Sequence, residues 1–169
     1  MPCFRGREKL KIYFAGPLFS EAERHWIRST IKKIESLARS LGVVVEIIFP
    51  YDLITVEEIN SLGANARREI FSRCKNHLND AEMVIALLDG TQVDDGTAFE
   101  VGYFYRGKPE EAKIIGIRTD FRNAGESAGS VVNAMIEMSC DRIARSTEEL
   151  LELLSQWLDR SKVNQHRQS

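Results

Sequence analysis

Met83-Val84-Ile85-Ala86-Leu87-Leu88 runs directly into Asp89-Gly90-Thr91-Gln92-Val93-Asp94-Asp95-Gly96-Thr97-Ala98-Phe99-Glu100-Val101-Gly102-Tyr103. The first six residues form an unbroken apolar run, the signature of a strand buried on both faces, and Ala98 to Arg106 reads as a helix. Asp89, Asp94, Asp95 and Glu100 therefore crowd a strand-to-helix turn that also holds Gly90 and Gly96. In open parallel sheets, ligands bind at such carboxyl-terminal strand edges. A purely structural account also fits: Thr97 to Glu100 matches a capping box, and Asp94 and Asp95 complement the positive end of the helix dipole. One acid and a cap satisfy a helix start, however, and further like charges cost free energy. That cost points to a site.

Outward from this turn, strands and helices alternate. Lys11 to Ala15 is a short apolar strand ended by Gly16-Pro17. From Ser20 through Leu41, apolar residues recur at spacings of three and four, and Gly42 closes the helix. Val43 to Phe49 reads as a second strand cut at Pro50. Thr55-Val56-Glu57-Glu58 is a second capping box, opening a short helix that Gly63 interrupts before another runs from Asn65 to Leu78. After the central turn and its helix come a strand from Lys113 to Ile117, a polar loop from Arg118 to Gly129 and a helix from Val131 to Met138. A weak fifth strand, Asp141 to Ala144, precedes a last helix opened by Ser146-Thr147-Glu148-Glu149.

This alternation specifies an α/β fold, a doubly wound parallel sheet with helices on both faces. Five strands suit the flavodoxin-like order 2-1-3-4-5, which brings Tyr13 to Phe19, Asp89 to Glu100 and Arg118 to Arg122 to one rim. The expected organisation is a flexible N-terminal segment at 1–9, one domain at 10–160 and a polar tail at 161–169.

Composition narrows the function classes. A net charge of -2 with scattered basic residues argues against a nucleic-acid polymer or an anionic membrane as partner. No apolar run is long enough to span a bilayer, and the first residues lack the apolar core of a secretory signal, so a cytoplasmic location is expected. Cys3, Cys74 and Cys140 are odd in number and widely spaced, which reads as plain thiols. His25, His77 and His166 lack matching partners, so neither a metal centre nor a Ser-His pair is expected.

With these residues assembled, the chain from Lys11 to Trp157 resembles the nucleoside 2-deoxyribosyltransferase family. The resemblance rests on Ile12-Tyr13-Phe14-Ala15-Gly16-Pro17-Leu18-Phe19, on Asp94 through Tyr103, and on Asn133-Ala134-Met135-Ile136. It implies transfer of a 2-deoxyribosyl group between nucleobases, or to water, through a covalent sugar on a glutamate, in the service of nucleotide salvage. Glu100 matches that nucleophile, Asp94 the acid that handles the departing and arriving base, and Tyr13 the tyrosine that holds the nucleophile. Asn133 matches a residue lent to the neighbouring subunit's site, where it meets the sugar's 5'-hydroxyl, so a homo-oligomer with shared sites is implied. Gly16, Phe19, Asp89, Asp95 and Gly96 complete the expected substrate-binding set around a deoxynucleoside and a nucleobase. The scheme needs no metal or organic cofactor.

The residue types suit the chemistry. Displacing a base from C1' passes through an oxocarbenium-like state that a carboxylate stabilises and then captures. Glu100, expected in the first helical turn, would have its anion favoured by the helix end and its pKa held down. Plainer roles stand beside these. Tyr13 can fill the core, Asn133 can be an ordinary exposed residue, Asp89 can cap its turn and Asp95 can be a solvated neighbour.

The chain also departs from the family pattern. A further aspartate, expected eight positions before the acid that opens strand three, is missing: counted from Asp80, that position is Ser72. Two other readings remain open. One is a 2'-deoxynucleoside 5'-phosphate N-hydrolase, disfavoured by the hydrophobic Gly16-Pro17-Leu18-Phe19 loop but allowed by Arg118, Arg122, Ser127 and Ser130. The other is a nucleoside- or nucleotide-binding sensor without turnover, against which the intact Glu100 and Asp94 argue.

Overall fold

The computed structural model of the chain describes residues 9–166. Residues 1–8 of the expected N-terminal segment and 167–169 of the expected tail lie outside the described residues.

The parallel sheet comprises β1 (Leu10–Ala15), β2 (Val45–Ile48), β3 (Met83–Leu87), β4 (Lys113–Ile117) and β5 (Arg142–Ala144), in the order β2-β1-β3-β4-β5. The flavodoxin-like order expected from the sequence is the one observed. All five residues of β3 are buried, as its unbroken apolar run requires of the central strand. Helices α1 (Glu21–Ser40), α2 (Val56–Leu62), α3 (Ala66–Asp80), α4 (Asp95–Gly107), α5 (Ala134–Glu137) and α6 (Thr147–His166) connect and flank the strands. Helix α6 continues to His166, into the stretch expected to be tail.

Side chains alternate across each strand, so β1 sorts its residues between two cores. Ile12 and Phe14 join Ile27 and Ile34 of α1 and Leu150 and Leu154 of α6 on one face. Tyr13 and Ala15 point to the other, among Leu78 of α3 and Val101 and Phe104 of α4. That period of two decides which face of the sheet Tyr13 meets. It meets the α3–α4 face.

The ends of elements explain where the boundaries differ from the sequence pattern. Ser20 and Glu23 form a reciprocal capping box at the start of α1, an arrangement worth about 1 kcal/mol. At its other end Gly42 adopts φ 66°, and the Val43 amide then donates to Ala38, so β2 starts at Val45 instead of Val43. Thr55 and Glu58 form the second reciprocal box, as their spacing predicts. Helix α5 is shorter than the expected 131–138 because Asn133 caps it and Val132, just before the cap, is buried in the core of the α3–α4 face. Asp141 lies just outside β5, where its carboxylate accepts the Ile114 amide at 2.8 Å.

Candidate active site

The turn after β3 starts its helix earlier than the sequence pattern suggests. Asp94, not Thr97, is the N-cap: its Oδ2 accepts the Thr97 amide and the Thr97 hydroxyl, each at 2.9 Å. Both residue types are competent caps. Asp94 prevails because Thr97 is buried and its hydroxyl turns inward to the same carboxylate. With α4 opening at Asp95, Glu100 falls in the second turn rather than the first. Its carboxylate is no longer engaged at the helix end.

It turns instead toward the sheet. The Tyr13 hydroxyl, on a fully buried ring, donates to Glu100 Oε1 at 2.5 Å. Burial raises the Glu100 pKa most, the Tyr13 hydrogen bond pulls it down and the Asp94 carboxylate pushes it up; the result is about 7. The sequence-based expectation of a lowered value is therefore reversed. The helix dipole fades beyond the first turn, whereas desolvation acts wherever the group is buried. Burial, and then the negative Glu100 beside it, push the Tyr13 phenol well up, so it remains a hydrogen-bond donor.

Replacing Tyr13 with Phe removes the contribution that lowers the Glu100 pKa. The acid limb of a kcat/KM profile should move to higher pH by roughly one unit. A limb that stays in place would separate Tyr13 from the ionisation of Glu100.

Glu100 also lines an open cavity of about 320 Å³ between α3 and α4. From α4, Gly96, Phe99 and Tyr103 share that wall, and α3 lends Arg67, Phe71, Cys74 and Lys75. Phe99 stacks on Tyr103 with ring centroids 6.0 Å apart and meets Phe71 at 6.3 Å, so the cavity mouth is aromatic. Sequence reasoning passed over the α3 contribution. The signal was the recurrence of 67, 70, 71, 74 and 78 at spacings of three and four on one helix face.

Cys74 corrects a register. The acid immediately before β3 is Glu82, buried and accepting the Lys11 amide at 3.0 Å, whereas Asp80 is an exposed partner of Lys11 Nζ. Eight positions before Glu82 is Cys74, not Ser72. Cys74 is the residue that reaches the site: its thiol lies in hydrogen-bonding reach of the Tyr13 hydroxyl, and burial pushes its pKa up.

The other expected residues are placed as follows. Asp89 caps the neighbouring loop, its carboxylate accepting the Thr119 amide (2.6 Å), the Thr119 hydroxyl (2.5 Å) and the Asp120 amide (3.0 Å). Asp95 is exposed in the first turn of α4. Gly16 is buried, where a Cβ would come within 3.0 Å of Ile27 Cδ1 and 3.2 Å of Leu87 Cβ, so close packing accounts for the glycine. Phe19 is 74% exposed and does not line the cavity. Asn133 is exposed, accepting the Met135 amide at 3.0 Å and donating to the Glu126 carboxylate.

Of the loop residues considered for phosphate, Arg118 is fully buried and bonded to backbone carbonyls, Arg122 pairs with Asp120, and Ser127 and Ser130 bond each other. They form an internal network. Among the described residues, no cluster of three or more His, Cys, Asp or Glu side chains is arranged to hold a metal, and no helix is long and apolar enough to cross a membrane.

Comparison with known proteins shows what this chain is similar to in sequence and fold. The family model described as nucleoside 2-deoxyribosyltransferase matches residues 12–135. An uncharacterised protein of Ureaplasma parvum serovar 3 is 32% identical over 156 residues, covering 87% of this chain and 96% of that protein. A conserved protein from Enterococcus faecalis V583 has a structure similar at TM-score 0.69 and 25% identity, covering 88% of this chain and 98% of the other. A 2-deoxyribosyltransferase from Bacillus psychrosaccharolyticus gives TM-score 0.60 at 22% identity, with 83% and 90% covered. At that last identity the likeness concerns the fold.

Proposed function

This chain belongs to the nucleoside 2-deoxyribosyltransferase family, and from that premise we propose that it moves a 2-deoxyribosyl group between nucleobases through a covalent sugar on Glu100. The observation that carries this reading is the 2.5 Å hydrogen bond from Tyr13 to Glu100 Oε1, beside a cavity that the same carboxylate lines.

One Glu100 oxygen is held by Tyr13, which leaves the other to attack C1' as the bond to the departing base breaks. The pair of electrons in that bond leaves with the base, and Asp94 supplies the proton that neutralises it. An arriving base then attacks C1' from the side the first one left, returning the proton to Asp94 and the electron pair to Glu100. Two inversions give net retention. The nucleophile must be ionised, so activity rises with pH through about 7, the value to which the Glu100 pKa is pushed up.

The reading includes a homo-oligomer in the cytoplasm, in which Asn133 serves the site of a neighbouring subunit. The exposure of Asn133, with Met135 and Met138 exposed at 79% and 78% beside it, supports a subunit contact there. Hydrolysis of 5'-nucleotides is disfavoured because the loop arginines and serines are engaged internally. Incubation with deoxyinosine and a second free base, followed by product separation, tests the assignment. A new nucleoside is expected. Free base alone would instead indicate a hydrolase, and no product at all would indicate a binding protein.

A further inference from the structure

We infer that the cavity beside Glu100 selects bases whose edge toward Arg67 carries carbonyl acceptors, 6-oxopurines first, and that Arg67 is the residue that reads that edge. The inference rests on the reading above that this cavity holds the base. It adds which base, and why.

The polar groups around the cavity are unbalanced. Arg67 makes no hydrogen bond or ion pair among the described residues, so its five guanidinium donors are free for a ligand. Lys75 is a second donor, its ammonium 5.8 Å from the Phe71 ring centroid. The Tyr103 hydroxyl already donates to Asn79 at 2.7 Å. Cys74, at the position where the family resemblance calls for an aspartate, offers a thiol in place of a carboxylate, and sulfur is a weak acceptor. Glu100 is the one carboxylate on the wall, and its oxygens are committed to Tyr13 and to C1'.

On the cavity wall a base between the aromatic rings therefore meets donors and almost no free acceptor; Asp94, which exchanges the proton with the base in the proposed reaction, is not among the residues of that wall. An adenine or cytosine amino group at this edge would set its N–H donors against the donors of Arg67 and Lys75, a mismatch that hydrogen-bonding sites convert into discrimination. A 6-oxopurine presents O6 and N7 side by side, and the planar guanidinium fork matches that pair bidentately. A 4-oxopyrimidine presents a single carbonyl there and should rank second.

Titration calorimetry of the full-length protein with free hypoxanthine and with free adenine tests this directly, without requiring turnover. Hypoxanthine should bind roughly tenfold tighter or more. In Arg67→Met that preference should collapse to about twofold, with the adenine affinity unchanged. The substitution replaces an exposed, unpartnered side chain, so an unaltered melting curve would confirm that the fold is intact. Equal or tighter adenine binding, an unchanged preference in Arg67→Met, or no binding of either base would overturn the inference.

Turnover of deoxyinosine and deoxyadenosine separates this inference from the proposed function. Base discrimination without any turnover leaves the inference standing and removes the enzyme. Equal turnover of both nucleosides without discrimination removes the inference and leaves the enzyme. If both hold, Arg67→Met should act mainly on KM for deoxyinosine, because Arg67 holds the base and not the reacting carbon.

Discussion

Replacing Glu100 with glutamine should lower base release by at least about a thousandfold while making the protein more stable at alkaline pH. The loss follows because the amide cannot form the sugar ester, and Asp94 is bound to the start of its own helix through Thr97 and cannot take its place. The gain follows from linkage. Burial raises the folded-state pKa of Glu100 from 4.5 to about 7, so the folded protein holds this proton more tightly than the unfolded chain. That contribution is fully present below about pH 4.5 and is lost as the pH rises through about 7. At pH 8 the ionised carboxylate is therefore a net cost on the order of 3 kcal/mol, which glutamine removes. Thermal melts at pH 5 and pH 8 should show the variant gaining on the parent only at the higher value. Retained turnover would remove Glu100 from the chemistry; a stability difference independent of pH would show that its ionisation is not opposed by burial.

The opposing demands on Glu100 also mark how far a sequence can be read. Strand order and the two-faced core were legible because they depend on local pattern: the buried run at 83–88, the breakers after Ala15 and Phe49, and the reciprocal caps at Ser20 and Thr55. The pairing of Tyr13 with Glu100 was reached through resemblance, and strand alternation gives it a physical basis. Three features escaped local reading because each is decided by contacts distant in sequence. Asp94 and Thr97 are both able to cap α4, and burial of Thr97 decided between them. The pKa of Glu100 turned on its burial rather than on the helix end. Cys74 was obscured because the count was taken from Asp80 and not from Glu82, the acid immediately before β3, and two residues in α3 rotate a side chain by more than half a turn.

Replacing Arg118 with methionine should cost about 3 kcal/mol or more and lower the melting temperature by roughly 10 °C. In the sequence Arg118 opens a polar loop and resembles a phosphate ligand; in the fold its side chain is 0% exposed. Its guanidinium donates to the carbonyls of Leu88, Gly90 and Arg122, the last two at 3.0 Å through Nη2, and lies 3.8 Å from the Asp120 carboxylate. Leu88 and Gly90 carry the chain from β3 into the acidic turn, while Arg122 and Asp120 lie after β4. One side chain thus ties the loop after β4 to the turn that leads from β3 into Asp94 and α4. Methionine fills much of the volume but leaves three carbonyls without their donor, that of Leu88 in the buried interior, so the loss exceeds that of a surface ion pair. Lysine should rescue little, because one ammonium cannot reproduce the planar fork that reaches separate carbonyls at once. The turn that presents Asp94 and Glu100 would loosen with it, and kcat/KM should fall at temperatures well below the new melting point. A methionine variant that melts within about 2 °C of the parent, less than 1 kcal/mol for a domain of this size, would show that this arginine does not hold the two loops together.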